Sequence, residues 1–486
     1  MKVFPGVLLA LLFPGYIAAA QQLSKSSLLE DFSVFQSVFE QANAGLYKYH
    51  SKQEVDSAFA AGRLQINDQT GYRDFYNIVW KIVDFTGSCH NQLDYPDAVD
   101  SVLNRKKIFF PLPLRYLSGK LYTGMALGNI PLGKEIVSVN GVAAPEFAKA
   151  VSRYVSTDGH NETGKYAFLK TNWTPAYIYR AYGEQDSFLV VIKDNGLLRN
   201  ETLAAVAYKE YIKNYRQRFI TEQEKKGKED YMFRYLDDIK TGVLTVSTFA
   251  VGGPESEGHK QYAKFLDSVF TVLQEQNVPD LIVDVRENGG GNDPNDLLLY
   301  SYLTRRRFRE NTVAFTLFNT VPLKEYYVEE EEDEIKDLEK TLKEENNIER
   351  NGKYYLNKRF NKKWRPNQKA FKGQVYLLVS PFVASAGSLF ASMVKSDKRP
   401  VVIGQETLGG YYGHTGHTPV TYRLPHTGLL LTFSIVDLRQ DVRKLRDEKW
   451  GDGIMPDYPV EPTIEDVLNG IDREMELAKE LIRKKK

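Results

Sequence analysis

The sequence predicts an α/β fold in which a parallel-sheet core follows a helical domain and a β-rich domain. Residues 24–93 place apolar side chains at helical spacing. Residues 105–220 contain short β-type runs separated by Gly, Asn or Pro. From residue 241 onward, nearly continuous apolar runs alternate with helical stretches, as expected of strands covered on both faces. We therefore place the three domains at residues 21–104, 105–225 and 226–486.

Composition places the chain among ordinary globular proteins. Its 486 residues are 42% hydrophobic and 26% charged, which is enough for two or three domains. The formal charge of +1 is spread evenly, so we expect no nucleic-acid partner. Cys89 is the only cysteine, which excludes an intrachain disulfide and a Cys-rich zinc site. We expect no metal and no cofactor.

Residues 1–20 have the three-part pattern of a cleaved secretory signal. Lys2 precedes the apolar stretch VLLALLF, and three alanines end at Ala20. No later stretch approaches the roughly 20 apolar residues that a membrane helix needs. We therefore expect an exported protein that is periplasmic, secreted or held at the cell surface, with no membrane span after cleavage.

The helical domain ends close to a histidine. Apolar positions recur at helical spacing in LLEDFSVFQSVFEQAN and YRDFYNIVWKIVDF, and Gly87 marks the end of the second helix. His90 stands just beyond this glycine, in a predicted loop. A single loop histidine is more often structural or solvent-facing than catalytic.

The β-rich domain contains a run that resembles part of a PDZ domain. The segment from Ile130 to Gly141 reads as a loop, a strand and an Asn-Gly turn, and PEFAKAVSRYV reads as a following helix. PDZ domains bind peptide ends by adding a strand to a sheet edge. The alternative is a β-rich domain without this role.

The core domain is interrupted by a charged insertion at residues 324–370. Its first part, which includes EEEEDEIKDLEKTLKEE, is predicted to be a solvated helix. We favour a solvent-facing excursion over a lid on the functional site. The chain then closes with the strand TGLLLTFSIVDL and an amphipathic helix from about residue 463.

Ser385 lies where a strand passes into a helix. The run VYLLVS leads into Pro381 and a turn of small residues, and SLFASMVKS follows with helical spacing. The first amides of a helix lack partners and carry partial positive charge, so they stabilise a nearby negative oxygen. Ser385 is therefore either a nucleophile or a helix N-cap.

Three glycines follow another buried strand. DLIVDVR leads into Glu287, Asn288 and the turn Gly289–Gly291. Such a turn can aim backbone amides at a developing oxyanion, or it can be a simple flexible turn. It is not a nucleotide-binding loop, because no Gly-Lys-Ser/Thr follows it.

Four motifs occur in an order that resembles a known family. They are DVRENGGG at residues 284–291, ASAGS at 384–388, IGQETLGG at 403–410 and GIMPD at 453–457. This order is similar to that of the carboxy-terminal processing, or tail-specific, peptidases, the tricorn core and the interphotoreceptor retinoid-binding proteins. The resemblance covers about residues 100–475. It implies a ClpP/crotonase-like α/β core, a PDZ-like domain and serine hydrolysis of peptide bonds.

The resemblance also implies roles for individual residues. It makes Ser385 the nucleophile and assigns the oxyanion hole to the backbone amides of Ala386 and Gly290. The tail-specific branch activates its serine with a lysine, but Gly410 stands at that position. A serine hydroxyl is a weak nucleophile without a base, so the base must come from elsewhere.

Two histidines can supply the missing base. The tricorn branch uses an upstream histidine, and Ser88-Cys89-His90 lies in the corresponding region. His90 is therefore our preferred base, and His414 is the alternative. The sequence leaves the orienting acid open among four residues, namely Glu406, Asp437, Glu448 and Asp452.

The expected function is that of an exported serine endopeptidase. It would hydrolyse extended or unfolded polypeptides, which the PDZ-like domain would capture near their carboxyl ends. Two alternatives use the same fold. One is a non-catalytic module that binds a peptide or an apolar ligand, and the other is an esterase or amidase.

Overall fold

A computed structural model describes residues 23–226 and 229–485. The predicted signal at residues 1–20 lies outside this part of the chain. The first described segment is helical and includes one short strand. Its elements are α1 (Lys25–Ala42), α2 (Lys52–Gln65), α3 (Tyr72–Phe85), β1 (Gln92–Asp94) and α4 (Asp97–Arg105). The first two helices begin at serine N-caps, since the Ser24 side chain accepts from the Ser27 amide and Ser51 forms a reciprocal capping box with Glu54.

The second segment is a small sheet with short helices. Its elements are β2 (Leu114–Leu117), β3 (Lys120–Thr123), β4 (Glu135–Val139), β5 (Val142–Ala143), α5 (Ala144–Ser152), α6 (Thr163–Ala167), a 3₁₀ turn (Phe168–Lys170), α7 (Thr174–Tyr182), β6 (Ser187–Asp194), β7 (Leu197–Ala204), α8 (Tyr208–Arg216) and α9 (Glu222–Lys226). The strand order is β2-β3-β4-β6-β7, and β5 pairs with β4. Asn140 and Gly141 form the expected turn, and both have positive φ.

The third segment contains the remaining elements of the chain. They are β8 (Tyr231–Leu236), β9 (Thr241–Val246), α10 (Glu257–Glu275), β10 (Asp280–Asp284), α11 (Asn295–Ser301), β11 (Asn311–Thr316), a 3₁₀ turn (Lys324–Tyr326), α12 (Glu334–Glu345), β12 (Ile348–Arg350), β13 (Lys353–Tyr355), β14 (Gln374–Val379), α13 (Ala386–Ser396), β15 (Val401–Gly404), β16 (Thr415–Arg423), β17 (Leu430–Gln440), β18 (Tyr458–Pro459), α14 (Ile464–Leu468) and α15 (Arg473–Lys485).

The central sheet positions the loops that matter for function. Its order is β18-β15-β14-β10-β9-β8, and all neighbouring strands run parallel except β8 and β9. Every residue of β10 is buried, which explains its continuous apolar run. Asp284 at the end of β10 pairs with Leu378 of β14. The loops after β10 and β14 therefore leave the sheet side by side at one edge.

A second sheet joins distant parts of the chain. Its order is β1-β17-β11-β13-β12, and β16 pairs with β17. The N-terminal helices share a hydrophobic core with this sheet, where the rings of Phe39 and Phe433 lie 5.2 Å apart. The insertion contains the predicted solvated helix as α12, but its later part adds β12 and β13 to the sheet. These strands are short and carry charged side chains, so their sequence does not show strand periodicity.

The fold class is confirmed: the chain combines an α/β core with a helical N-terminal region and a β-rich region. Within the described residues, no helix has the length and apolar character needed to cross a bilayer.

Candidate active site

Ser385 occupies a sharp turn between β14 and α13. Its φ of 51° and ψ of −130° lie outside the regions that non-glycine residues normally adopt. Ser385 is the N-cap residue of α13 by position, but its side chain makes no capping hydrogen bond to the helix. The Ala386 amide, at the start of α13, donates to no other described residue. A strained turn therefore presents a free hydroxyl beside a free amide at the positive end of a helix.

The backbone of Gly290 lies directly against Ser385. Its φ is 110°, and a Cβ added there would lie 2.7 Å from Ser385 Cβ and 3.1 Å from the Ala386 nitrogen. Only glycine fits this position. However, the Gly290 amide already donates to Asn288 Oδ1 at 2.9 Å. The Gly290 amide thus lies beside Ser385, but as an oxyanion donor it would have to share or exchange this bond.

Asn288 ties the glycine turn to its surroundings, a role that the sequence does not reveal. The side chain is fully buried and donates to the Val246 carbonyl at 3.1 Å. Its own carbonyl accepts from the Ala384 amide at 3.3 Å. Asn288 therefore connects the end of β9, the glycine turn and the loop that carries Ser385. An Asn directly before three glycines is too common a sequence to have indicated this.

The loop that carries His90 lies against the loop that carries Ser385. The Ser385 amide approaches the Cys89 thiol, and the His90 ring stacks on His414 with centroids 5.4 Å apart. Burial and the neighbouring Asp158 carboxylate raise the pKa of the Cys89 thiol well above its usual value, and the Ser385 amide acts in the opposite direction. Among the described residues, no hydrogen bond joins Ser385 Oγ to either histidine.

The carboxylate beside His90 is Asp158. It is fully buried, and it accepts from the Cys89 amide at 2.9 Å and from the Gly410 amide at 3.0 Å. One ligand atom each from Cys89, His90 and Asp158 lie within 4.8 Å of one another. Burial lowers the pKa of His90, and the Asp158 charge partly offsets this effect. An imidazole with a lowered pKa is neutral near pH 7 and can accept a proton.

The four acids that the sequence offered as partners of the histidine are occupied elsewhere or make no contact with it. Glu406 accepts from Thr163 and the Gly453 amide, Asp437 pairs with Lys48, and Glu448 pairs with Lys395 at 2.8 Å. The Asp452 side chain makes no hydrogen bond to another described residue. Asp158 was missed because an Asp-Gly pair is the ordinary signature of a turn.

His414 is a poor candidate for the base. It is 3% exposed, and its Nδ1 is buried without a partner among the described residues. Burial lowers the pKa of His414 well below the usual value, and the charges of His90, His417 and Lys48 lower it further. Taking up a proton there would place an uncompensated charge in the interior.

The β-rich region packs directly on the loop before Ser385. Phe168 lies with its ring 5.0 Å from Phe382, and Lys170 Nζ lies 4.2 Å above the Phe382 ring. Thr163 donates to Glu406 in the core at 2.7 Å. Peptide held by this region would therefore lie close to the candidate nucleophile.

Comparisons with known proteins agree with this architecture. The structure is similar to that of mature CPAF, with a TM-score of 0.60 and 13% identity over 95% of this chain and 98% of that one. It is also similar to mature CPAF complexed with lactacystin, with a TM-score of 0.59 and 14% identity over 95% and 99% of the chains. At such low identity these likenesses support the fold alone. No curated protein matches the chain.

A match to a family profile identifies the class of the core domain. Residues 240–460 match the profile described as "Peptidase family S41". The core domain is therefore a serine-type peptidase domain of this family, and polypeptides are its class of substrate.

Proposed function

We propose that this protein hydrolyses peptide bonds through a Ser385–His90 pair that Asp158 positions. Ser385 Oγ attacks the carbonyl carbon while His90 accepts its proton. His90 then donates that proton to the leaving amine as the C–N bond breaks. Water then attacks the acyl-enzyme while His90 accepts its proton, and His90 returns a proton to Ser385 Oγ as the ester C–O bond breaks. The amides of Ala386 and Gly290 stabilise the oxyanion that forms in each half of the reaction.

The observation that carries this proposal is the convergence of three segments at Ser385. The free hydroxyl stands beside the free Ala386 amide, and the loop of Cys89 and His90 lies against it. Asp158 holds that loop through the Cys89 amide. Hydrogen bonds between a nucleophile and its base are often long in unliganded enzymes and shorten when substrate binds.

The substrates are extended or unfolded polypeptides. The contact between Phe168 and Phe382 supports a path from the β-rich region to the nucleophile. The pattern at residues 1–20 supports export, so the substrates are proteins of the exported space.

Covalent labelling tests the nucleophile. A fluorophosphonate probe is expected to label the native protein at one serine and to leave Ser385→Ala unlabelled. Equal labelling of Ser385→Ala, or no labelling of the native protein, would exclude this nucleophile.

Histidine variants test the base. His90→Ala is expected to lose hydrolysis of an unfolded protein or a peptide library, whereas His414→Ala retains measurable activity. Loss of activity in His414→Ala alone would reverse the assignment. If the wild type hydrolyses small esters or amides but no peptide, it is an esterase or amidase. If it hydrolyses none of these substrates, it is a binding module.

A further inference from the structure

A second polar site lies beside the candidate active site. The core and the charged insertion enclose a cavity of about 550 Å³. Seven carboxylates and one imidazole line it, and none of the described residues that line it is a lysine or an arginine. The cavity is therefore strongly acidic and lacks protein cations that could balance it, apart from a protonated histidine.

Three of the lining residues converge at one point. His417 Nε2 lies 2.8 Å from Glu310, and its Nδ1 lies 3.3 Å from Asp293. One ligand atom from each residue falls within 4.8 Å of the others. The three side chains are 19–39% exposed, so an ion in the cavity can reach them.

A buried carboxylate lies behind this cluster without a side-chain partner among the described residues. Asp296 is fully buried, and only backbone amides of its own turn, at Asp296 and Leu297, approach its oxygens. Its charge interacts with those of Asp293 and Glu310, and with His417. Three carboxylates thus lie close to one imidazole, and one of the three is fully buried. Such an excess of negative charge is costly unless a cation balances it.

We propose that Asp293, Glu310 and His417 bind one divalent cation, with Asp296 adding negative charge from behind. Two carboxylates and an imidazole suit Mn²⁺ or Zn²⁺. A β-bulge in β16, between Gly416 and Pro419, turns His417 towards the two acids.

The cation joins two segments of the candidate active site. Asp293 follows the glycine turn by two residues, and His417 follows the buried His414 by three. A bound ion would therefore hold the oxyanion turn against β16. The binding itself does not depend on the proposed peptidase mechanism, so it is measured without a substrate.

Manganese is the probe that tests this site. The untagged full chain is dialysed against EDTA and titrated with Mn²⁺, while the free ion is followed by electron paramagnetic resonance. We expect saturable binding of one ion per chain. Glu310→Gln and His417→Ala should each weaken binding by about tenfold or more, since each removes a ligand.

Two controls keep the result specific. Glu334→Gln removes a carboxylate from the same cavity outside the cluster and should bind Mn²⁺ like the wild type. Cys89→Ser tests the other cluster, which contains a thiol and should contribute nothing to Mn²⁺ binding. Circular dichroism checks that each variant is folded. Any of three results would overturn the proposal. The first is no saturable binding of Mn²⁺ by the wild type, the second is binding by both ligand variants like that of the wild type, and the third is a loss of binding in Glu334→Gln as large as theirs.

Discussion

The Asp158 side chain joins two other loops of the candidate site. Each of its oxygens accepts a backbone amide from a different loop, at Cys89 and at Gly410. It does not hydrogen-bond the imidazole in this structure. It acts on His90 through the position of Cys89 and through its charge, so it is a positioning residue in the proposed mechanism.

Replacing this charge should change both rate and pH dependence. Asp158→Asn is expected to lower kcat/KM by about tenfold to a hundredfold, because hydrogen bonds to a charged group contribute about 1.5–3 kcal/mol. The Asp158 charge raises the pKa of His90, so its removal lowers that pKa. Activity is lost as pH falls through the pKa of the base. The acid limb of the kcat/KM profile should therefore move to lower pH in the variant.

The matched control is Asp452→Asn, which removes an acid that the sequence also suggested. Its rate and its pH profile should equal those of the wild type. An Asp158→Asn profile with an unmoved acid limb would show that the carboxylate has only a structural role.

The contrast between Ser385 and Asp158 shows what local sequence can reveal. Ser385 was predictable because a buried strand, a small-residue turn and a helix follow one another within a short stretch. Asp158 was not, because its two partners lie 69 and 252 residues away along the chain. The sequence of a turn does not specify which distant backbone amides will donate hydrogen bonds to its side chains.

At the scale of elements, three loops hold one another at the site. The Gly159 amide donates to the Gly87 carbonyl at 2.9 Å, and the His160 amide donates to Gly451 at 2.8 Å. Gly159 has a φ of 61°, and a Cβ there would overlap the Gly451 carbonyl. The loop that carries Asp158 thus fits between two others only with glycine at its centre.

Gly159→Ala is therefore expected to reduce activity far more than Gly196→Ala. Both glycines have positive φ, so both variants lose about 1–2 kcal/mol of unfolding free energy to backbone strain. A Cβ at Gly196 meets nothing within 4 Å, whereas one at Gly159 displaces the Asp158 loop. Urea unfolding and peptide hydrolysis measure the two effects. Equal activity in the two variants would contradict the proposed packing of the loops.

Four of the six strands of the central sheet were predictable, and those of the second sheet were predictable only in part. The runs that became β9, β10, β14 and β15 are continuous and apolar because parallel strands are covered on both faces. By contrast, β1, β12 and β13 contain three residues each. Three residues are too few to show the alternation of apolar and polar side chains that is typical of a strand. These segments are recognisable as strands only because they pair with neighbouring strands in the fold.

At the scale of the whole molecule, the N-terminal helices share one core with β16 and β17, which come late in the chain. Phe39 of α1 contacts Phe433 of β17. Asp31 accepts hydrogen bonds at 2.8 Å from the amides of His426 and Thr427, which lie between β16 and β17. Helical spacing identified the apolar face of α1 but could not identify the sheet that this face covers.

This shared core predicts a single cooperative transition. Phe39→Ala should lower the unfolding free energy by about 3–5 kcal/mol, because it empties a buried aromatic position. Helical circular dichroism and peptidase activity should be lost together on heating. Leu64→Ala removes an exposed side chain of the same helical region and should change stability little. Two separate transitions would show that the N-terminal helices fold independently of the sheet.

The candidate site is assembled from three segments that are far apart in the sequence, so they are synthesised at different times. His90 and Asp158 are made well before Ser385, and β17, which pairs with β1 just after His90, is made after all three. In the proposed mechanism, the serine has no base until this late strand has closed on the early one. In that mechanism a growing chain is inert towards neighbouring polypeptides until β17 has been made and has paired with β1.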